Sequence, residues 1–248
     1  MIRSIKAITI TLERELYDFY KNILHYFLRS MLTPMLYLFV IGVGLGSFIY
    51  MPDYSSYVQF LIPGILMMAT VQVTHNHLSF EVLAARTYEK YLELLTMVAP
   101  IHPYEAVIGY ILAGVIIAIF NVSIFLIPVY LFLSIELPLI TLFIFTVGLG
   151  ILFSATGFSV GMYFDDPHHL SIFNSIVITA FSFLCGVFFP LSVYPDPLRF
   201  IIGLFPLTQA IEGIRGYGNL YLQIIYVWVS AIVAVFIAIL IFKKKMII

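Results

Sequence analysis

The chain has 248 residues, of which 62% are hydrophobic and only 10% are charged, whereas a soluble domain carries about 25% charged residues. This composition excludes a water-soluble globular protein and predicts an integral membrane protein. The 12 basic and 13 acidic residues nearly cancel, to a net charge of -1, so the composition offers no basic face for a nucleic-acid partner.

Six uncharged intervals divide the chain, and each is long enough to cross a hydrocarbon core of about 30 Å as a helix. They cover residues 30–52, 54–80, 106–135, 137–164, 167–195 and 216–242. The predicted fold is therefore all-α and integral to the membrane, with six transmembrane helices. Because these helices occupy most of the chain, residues 1–248 are predicted to form a single transmembrane domain with no fused nucleotide-binding domain.

Before the first interval, residues 1–29 combine charges with an apolar stripe at helical spacing, formed by Ile5, Ile8, Leu12, Leu16, Phe19 and Ile23. The segment is too charged to span, so we expect a helix in the cytoplasmic interface with Tyr17, Phe19 and Tyr20 at headgroup level. A soluble amphipathic helix packed on a partner is the alternative.

The loop at residues 81–104, between the second and third intervals, carries the main cytoplasmic helix candidate. Residues 85–96 are predicted to be helical, with Tyr88, Tyr91, Leu92 and Leu95 on one face and Arg86, Lys90 and Glu93 on another. Such a two-faced helix suits docking into a partner's cleft, and a solvated turn is the alternative. Pro100 and Pro103 then end the helix.

Residues 190–215 are too apolar for an aqueous loop and too often interrupted by proline and glycine for a full span. We expect two short helices that dip into the outer leaflet as a re-entrant hairpin and return. Arg199 and Glu212 are predicted to meet each other or lipid headgroups, with Phe188 and Phe189 forming an apolar plug below. A folded extracellular cap is the alternative.

Polar residues inside the intervals are few and include no Asp, Glu, Lys or Arg near a centre, so no proton relay is evident. His75 and His77 stand two residues apart and point to different sides of a helix, so no metal site is predicted. Polar contacts along a substrate path are the preferred interpretation, and the candidate path residues are Gln72, His75, Asn76, Asn174 and Phe181. Gly42 with Gly46, and Gly157 with Gly161, are predicted to allow close helix packing.

Basic residues fall unevenly around the intervals. With the N-terminus in the cytoplasm, ten basic residues lie inside and only Arg199 and Arg215 lie outside. The positive-inside rule then predicts a multi-pass protein of the cell membrane with both termini cytoplasmic.

Two segments carry a family resemblance. LCGVFFPLS at 184–192, PDPLR at 195–199 and FPLTQAIEGIR at 205–215 resemble the "GvfFP…lP…l…PLt.a.e.iR" signature of the ABC type-2 transporter permease family. RTYEKYLELL at 86–95, with Pro100 beyond it, is similar to the "er..gt.e.Ll..P" coupling segment, although Tyr91 stands where small residues are common.

The resemblance implies the membrane subunit of an ATP-driven exporter. Two permease copies, expected to be identical although a heterodimer stays open, would form the pore among membrane lipids. Separate ATP-binding subunits would hold the ATP and Mg²⁺, so this chain would bind no cofactor and catalyse no reaction. Residues 1–29 would be the connecting helix. The coupling residues would be Arg86, Tyr88, Glu89, Lys90, Leu92 and Glu93, and the external gate would include Phe188, Phe189, Pro190, Arg199, Pro206 and Glu212.

The implied cargo is a small hydrophobic or amphipathic molecule, a drug, a lipid or a glycolipid. Polysaccharide or lipo-oligosaccharide export by the same family is the alternative. A stand-alone channel or secondary carrier, or a membrane scaffold, is a rival from another class, but the internal repeats and broken midplane helices typical of carriers are not seen.

Overall fold

The computed structural model describes residues 2–46, 48–49, 54, 56–93, 102–133 and 137–246, and every regular element in these ranges is helical. The helices are α1 (Ile2–Lys21), α2 (Ile23–Tyr37), α3 (Tyr57–Thr87), α4 (Pro103–Pro128), α5 (Leu139–Tyr163), α6 (Pro167–Phe173), α7 (Ala180–Leu184), α8 (Asp196–Gly203), α9 (Pro206–Arg215) and α10 (Leu220–Met246). π-helical turns extend three of them: Leu38–Val43 follows α2 and leads into Gly44–Gly46, Val129–Leu133 follows α4, and Asn174–Thr179 joins α6 to α7.

Four of the described helices are long and apolar enough to cross a membrane: α3, α4 with its extension to Leu131, α5 and α10. The chain is therefore a multi-pass membrane protein, as the composition predicts. The first predicted interval contains the shorter apolar helix Leu32–Gly46. The fifth contains α6, its π-helical turn and α7, which ends at Leu184, well before the predicted limit at residue 195. That these two segments also cross the membrane stays a prediction.

The helix ends follow from local sequence. The side chain of Ser56 caps α3 by accepting a hydrogen bond from the Gln59 N–H at 3.3 Å. Asp166 caps α6 in the same way through the His168 N–H at 2.7 Å, with Pro167 as the first helical residue.

α3 lies at the centre of the bundle and α10 at its edge. Within the most apolar stretch of each helix, 78% of the α3 stretch but only 22% of the α10 stretch is buried inside the protein. α3 packs mainly on α5, and α5 also packs on α4 and α10. α10 therefore leaves most of its apolar surface for lipid.

Glycine permits the close approach of α3 and α5. A Cβ on Gly157 would lie 2.5 Å from the carbonyl oxygen of His75, and one on Gly161 would lie 2.5 Å from that of Ser79. The predicted packing role is confirmed for this pair. A Cβ on Gly42 would meet only ordinary contacts at 3.4 Å, and one on Gly46 would meet no atom of the described residues within 4 Å. Within the described part of the chain, Gly46 therefore makes no close helix contact.

α1 packs on α4 through a different stripe from the predicted one. Its buried residues are Ala7, Thr11, Glu15 and Phe19, spaced four apart, whereas Ile5 is 56% exposed. Thr11 lies against Gly109, and the Phe19 ring meets Phe120 at 5.2 Å. Phe19 is thus buried rather than at a headgroup surface, while Tyr17 and Tyr20 are exposed. An apolar stripe can stay outside because lipid is as apolar as a protein core.

Candidate functional site

Two arginine-centred clusters lie at opposite ends of α3. Residues Phe60 and Arg86, one near each end, are 26 positions apart, which corresponds to about 39 Å of helix. We call the end containing Arg14, Arg86 and Asp165 the basic end. The end containing Arg215, α8 and α9 is called the hairpin end.

At the hairpin end, the Arg215 guanidinium binds three main-chain carbonyls that belong to two separate segments, α3 and the turn after α7. Its side chain is fully buried. It donates to the Phe60 oxygen from Nη2 at 2.9 Å, to the Gly186 oxygen from Nη1 at 2.6 Å and to the Val187 oxygen from Nη2 at 3.1 Å. The guanidinium also stacks on the Phe60 ring, 3.6 Å from its centroid. Arg215 thereby fixes the end of α9 to α3 and to the turn after α7.

This turn depends on two glycines. Gly186 has a φ of +78°, the left-handed region that favours glycine. Gly64 on α3 lets the Val187 backbone approach, since a Cβ there would lie 2.9 Å from Val187 Cα and O. The carbonyls of Gly186 and Val187 are therefore held within reach of Arg215.

The predicted gate residues lie around this cluster. Phe188 is 4% exposed, its carbonyl accepts from the Tyr57 hydroxyl at 2.8 Å, and its ring lies among those of Tyr37 and Phe183. Phe189, by contrast, is 52% exposed. Phe188 alone of the predicted plug is buried, at the junction of α2, α3 and the turn after α7.

The two short helices predicted for residues 190–215 are present as α8 and α9. Pro206 is the first residue of α9, whereas Pro190 precedes a single 3-10 turn, Leu191–Val193. A Glu212 oxygen lies 3.7 Å from Arg215 Nη1, and Arg199 is exposed on α8. No ion pair joins Arg199 to Glu212 within this described segment, and the alternative, that these residues meet lipid headgroups, stays a prediction.

At the basic end, the predicted coupling segment is broken rather than one helix. α3 contains Arg86 and ends at Thr87, Lys90 has a φ of +52°, and residues 91–93 are helical again. Tyr88 is 66% exposed while Leu92 is completely buried, so these two do not share a face. Glu89, Lys90 and Glu93 are exposed. The predicted remainder, 94–96, lies outside the described residues.

Ion pairs connect this broken segment to other helices. Arg14 of α1 contacts the Glu89 carboxylate and the Glu15 carboxyl group, and its guanidinium lies over the Tyr91 ring at 4.1 Å. Arg86 donates to the Phe164 carbonyl and to Asp165 Oδ1, the latter at 2.6 Å. Glu89 and Asp165 are 50% and 79% exposed, so both pairs are accessible to ions.

Glu15 is the buried exception at the basic end. Its side chain is 2% exposed, and its Oε2 has no hydrogen-bond partner among the described residues. Burial raises the pKa of Glu15 to about 8, the neighbouring Glu81 carboxylate contributes to the rise, and Arg14 opposes it. Glu15 is therefore largely protonated at neutral pH, accepting the Arg14 hydrogen bond at 2.7 Å through one oxygen.

The five predicted path residues separate into three places. His75 and Asn174 meet between α3, α5 and the π-helical turn after α6: His75 Nε2 lies 3.2 Å from Asn174 Oδ1, and Nδ1 lies 3.2 Å from Thr156 Oγ1. Both residues are at most 4% exposed. Because both ring nitrogens are used, His75 serves to join three helices. Phe181 is elsewhere, at the hairpin end, with its ring 5.0 Å from that of Phe205.

Gln72 and Asn76 instead line a cavity of about 250 Å³ between α2 and α3. Its other lining residues are Tyr26, Thr33, Pro34, Ala69, Val73, His77, Phe80 and Glu81. Sequence reasoning missed Glu81, Tyr26 and the role of Arg215. The available signal for Glu81 and Arg215 was their charge, because a charged residue beside a membrane span is rare and commonly functional.

Comparisons with known proteins identify the family of the chain. The family model described as ABC-2 type transporter matches residues 6–218, which include both ends of the bundle. The inner membrane transport permease YadH of Escherichia coli K12 is 27% identical over 215 residues, covering 84% of this chain and 80% of that relative. Nodulation protein J of Bradyrhizobium diazoefficiens is 26% identical over 236 residues, covering 88% and 86%. Nodulation protein J of Rhizobium meliloti is 28% identical over 199 residues, covering 76% and 72%.

Proposed function

The chain belongs to the ABC-2 type transporter family, and from this premise we propose that it is the permease subunit of an ATP-driven exporter in the cell membrane. One relative of the chain, YadH, is an inner membrane transport permease. The energy would come from a separate ATP-binding subunit that holds ATP and Mg²⁺. Two copies of this chain would enclose the path, and the cargo would be a small hydrophobic or amphipathic molecule.

The observation that carries this proposal is the family match together with the accessible basic end. Glu89, Lys90 and Glu93 form an exposed projection directly after α3, and α3 runs through the centre of the bundle to the turn held by Arg215. A partner that moves this projection would move the helix that also carries the Phe60 carbonyl. The projection is therefore the proposed docking point of the ATP-binding subunit.

The proposed topology has six crossings, both termini in the cytoplasm and the hairpin end outside. It rests on the ten-to-two distribution of basic residues. In this arrangement α8 and α9 form the re-entrant external gate, because their exposed apolar residues, including Phe200 and Ile201, require lipid or protein cover.

Co-purification tests the docking proposal. A cognate ATP-binding subunit should co-purify with the tagged chain, and nucleotide turnover should require that subunit. Glu89→Lys with Glu93→Lys should release it while membrane insertion stays normal. Glu13→Lys is the matched control, because it reverses an exposed acidic charge on α1 that lies outside the projection. Retention of the subunit by the double variant, or ATP hydrolysis by the chain alone, would reject the proposal.

A further inference from the structure

We infer that the cavity between α2 and α3 binds the cationic head group of an amphipathic substrate, an organic ammonium or phosphonium. This inference rests on the proposed exporter function for its physiological meaning and names the class of cargo. The binding itself does not depend on ATP or on a partner.

The first observation is the sign of the charge. Glu81 is the one acidic residue that lines the cavity, and no lysine or arginine is among its described lining residues. Beyond the wall, the charged groups that act on Glu81 are Asp18, Arg14 and Glu89, with a summed formal charge of -1. Among the described residues, the charge around the cavity therefore favours a cation over a phosphate or carboxylate.

The second observation is an unused acceptor. Asn76 Oδ1 is buried and has no hydrogen-bond partner among the described residues. A buried amide oxygen without a donor is costly, and a bound ammonium would supply one. Glu81 already accepts from the Tyr26 hydroxyl at 3.3 Å, which orients its carboxylate along the same wall.

The third observation is the remaining surface. Tyr26 and Phe80 bring aromatic rings to the cavity, and Pro34, Ala69 and Val73 bring apolar area. Aromatic faces attract cations, most strongly where water is excluded. The Tyr26 ring is fixed by an edge contact with His77, with the centroids 5.2 Å apart. The cavity thus combines acceptors, a carboxylate and π surfaces, which together fit a cation with apolar substituents.

Size and position identify the bound part as a head group. Drug-sized ligands occupy pockets of about 300 to 1,000 Å³, whereas this cavity measures about 250 Å³. Gln72, Val73, Asn76 and Glu81 are half-buried and Thr33 is exposed, so one side of the cavity is open. An apolar tail would leave through this side, along the surface of α2 and α3.

Equilibrium binding of radiolabelled tetraphenylphosphonium to the full chain in lipid nanodiscs tests the inference. Glu81→Gln should weaken binding at least tenfold. Asn76→Leu should weaken the binding of benzylammonium severalfold and that of tetraphenylphosphonium less, because only the ammonium carries an N–H donor. Glu13→Gln is the matched control, because it removes an exposed carboxylate that neither lines the cavity nor is among the charges acting on Glu81, and it should change the affinity less than twofold. Equal affinity in wild type and Glu81→Gln, or an equal loss in Glu13→Gln, would overturn the inference.

A second measurement covers the case in which Glu81→Gln does not fold. In a Cys185→Ser background, a cysteine at Gln72 should be labelled by maleimide, and tetraphenylphosphonium should slow this labelling, whereas the anionic analogue tetraphenylborate should not. Equal protection by both ions would overturn the inference. If the phosphonium binds but the complex with its ATP-binding subunit transports nothing, the exporter proposal fails while the head-group site stands. If the complex transports only neutral or anionic cargo, the site assignment fails.

Discussion

Arginine fixes both ends of this bundle, but it does so with different acceptors. At the hairpin end, the fully buried Arg215 binds main-chain carbonyls of α3 and of the turn after α7. At the basic end, Arg14 and Arg86 bind the half-exposed or exposed carboxylates of Glu89 and Asp165, and Arg86 also donates to one main-chain carbonyl, that of Phe164. Buried hydrogen bonds cost much to break, whereas exposed ion pairs contribute about 1 kcal/mol or less.

This difference suggests a division of labour. If the buried arginine lost its carbonyl acceptors, both the guanidinium and the carbonyls would be left without hydrogen bonds in an apolar environment. Exposed ion pairs exchange with water and salt at little cost. The hairpin end is therefore expected to be the stable end of α3, and the basic end the one that a partner can rearrange.

The largest expected effect is at Arg215. Arg215→Met should lower the free energy of unfolding by about 3 kcal/mol or more, because three buried carbonyls lose their donor. Arg215→Lys should retain only part of this free energy, since one ammonium cannot reproduce the guanidinium geometry. Cys185 is the single cysteine and is 2% exposed, so a fluorogenic thiol dye reports thermal unfolding.

The exposed Arg199 on α8 supplies the control, and Arg199→Met should change stability by no more than about 0.5 kcal/mol. Equal unfolding temperatures for Arg215→Met and wild type would remove the distinction between the two ends.

Substitutions at the contact between the middle of α3 and α5 should have an intermediate effect on stability. Gly157→Ala should cost about 1 to 3 kcal/mol, because its Cβ would collide with the His75 backbone and push α5 away from α3. Gly46→Ala has open space and should be neutral or slightly stabilising. The same dye assay compares the two. A neutral Gly157→Ala would mean that α3 and α5 separate without cost.

Glu15 is a buried carboxyl group at the basic end, and its protonation should make stability depend on pH. Its pKa rises from the ordinary value of 4.5 to about 8 on folding, so the folded state binds more protons between these values. Stability should therefore fall as the pH rises through this window, by at most about 1.4 kcal/mol per pH unit. Glu15→Gln should flatten the profile between pH 5 and 8.

The control for that measurement is Glu13→Gln, which alters an exposed carboxylate two residues away and should leave the slope in place. A wild-type profile without slope would show that Glu15 keeps its charge when folded.

The smallest effect is expected for Asp165. Asp165→Asn removes an ion pair whose carboxylate is 79% exposed, so the loss should be below about 1 kcal/mol. The difference from wild type should also shrink in 1 M salt, where exposed charges are screened. A loss as large as that of Arg215→Met, or one insensitive to salt, would contradict the comparison.

Much of the helical pattern could be predicted from the sequence, because long apolar runs and proline positions act locally. α5 lies within a predicted interval, and α3, α4 and α10 overlap most of theirs. The cap at Asp166 follows from the proline that comes directly after it. The stripe on α1 could not be predicted in this way, because in lipid an apolar face has no preference for the interior. Glu15 and Thr11 are buried instead.

The Arg215 cluster shows a second limit of sequence reasoning. Its acceptors are carbonyls, which every residue has, so no partner side chain marks the site. Likewise, nothing in Tyr88 to Lys90 signals the break after Thr87, because Lys90 adopts a left-handed conformation that usually belongs to glycine. The cavity residues Gln72 and Asn76 were found because polar groups in an apolar run stand out, while Glu81 lay one residue beyond the predicted interval.

The π-helical turn at Asn174–Thr179 changes the phase of the helix that contains it. An α-helix advances about 100° per residue, and each residue added within a wide π turn rotates everything beyond it by that amount. Residues before and after this turn therefore cannot be placed on a single helical wheel. Asn174 faces His75 while Phe181, seven positions on, faces Phe205, whereas an unbroken α-helix would place both on nearly the same side.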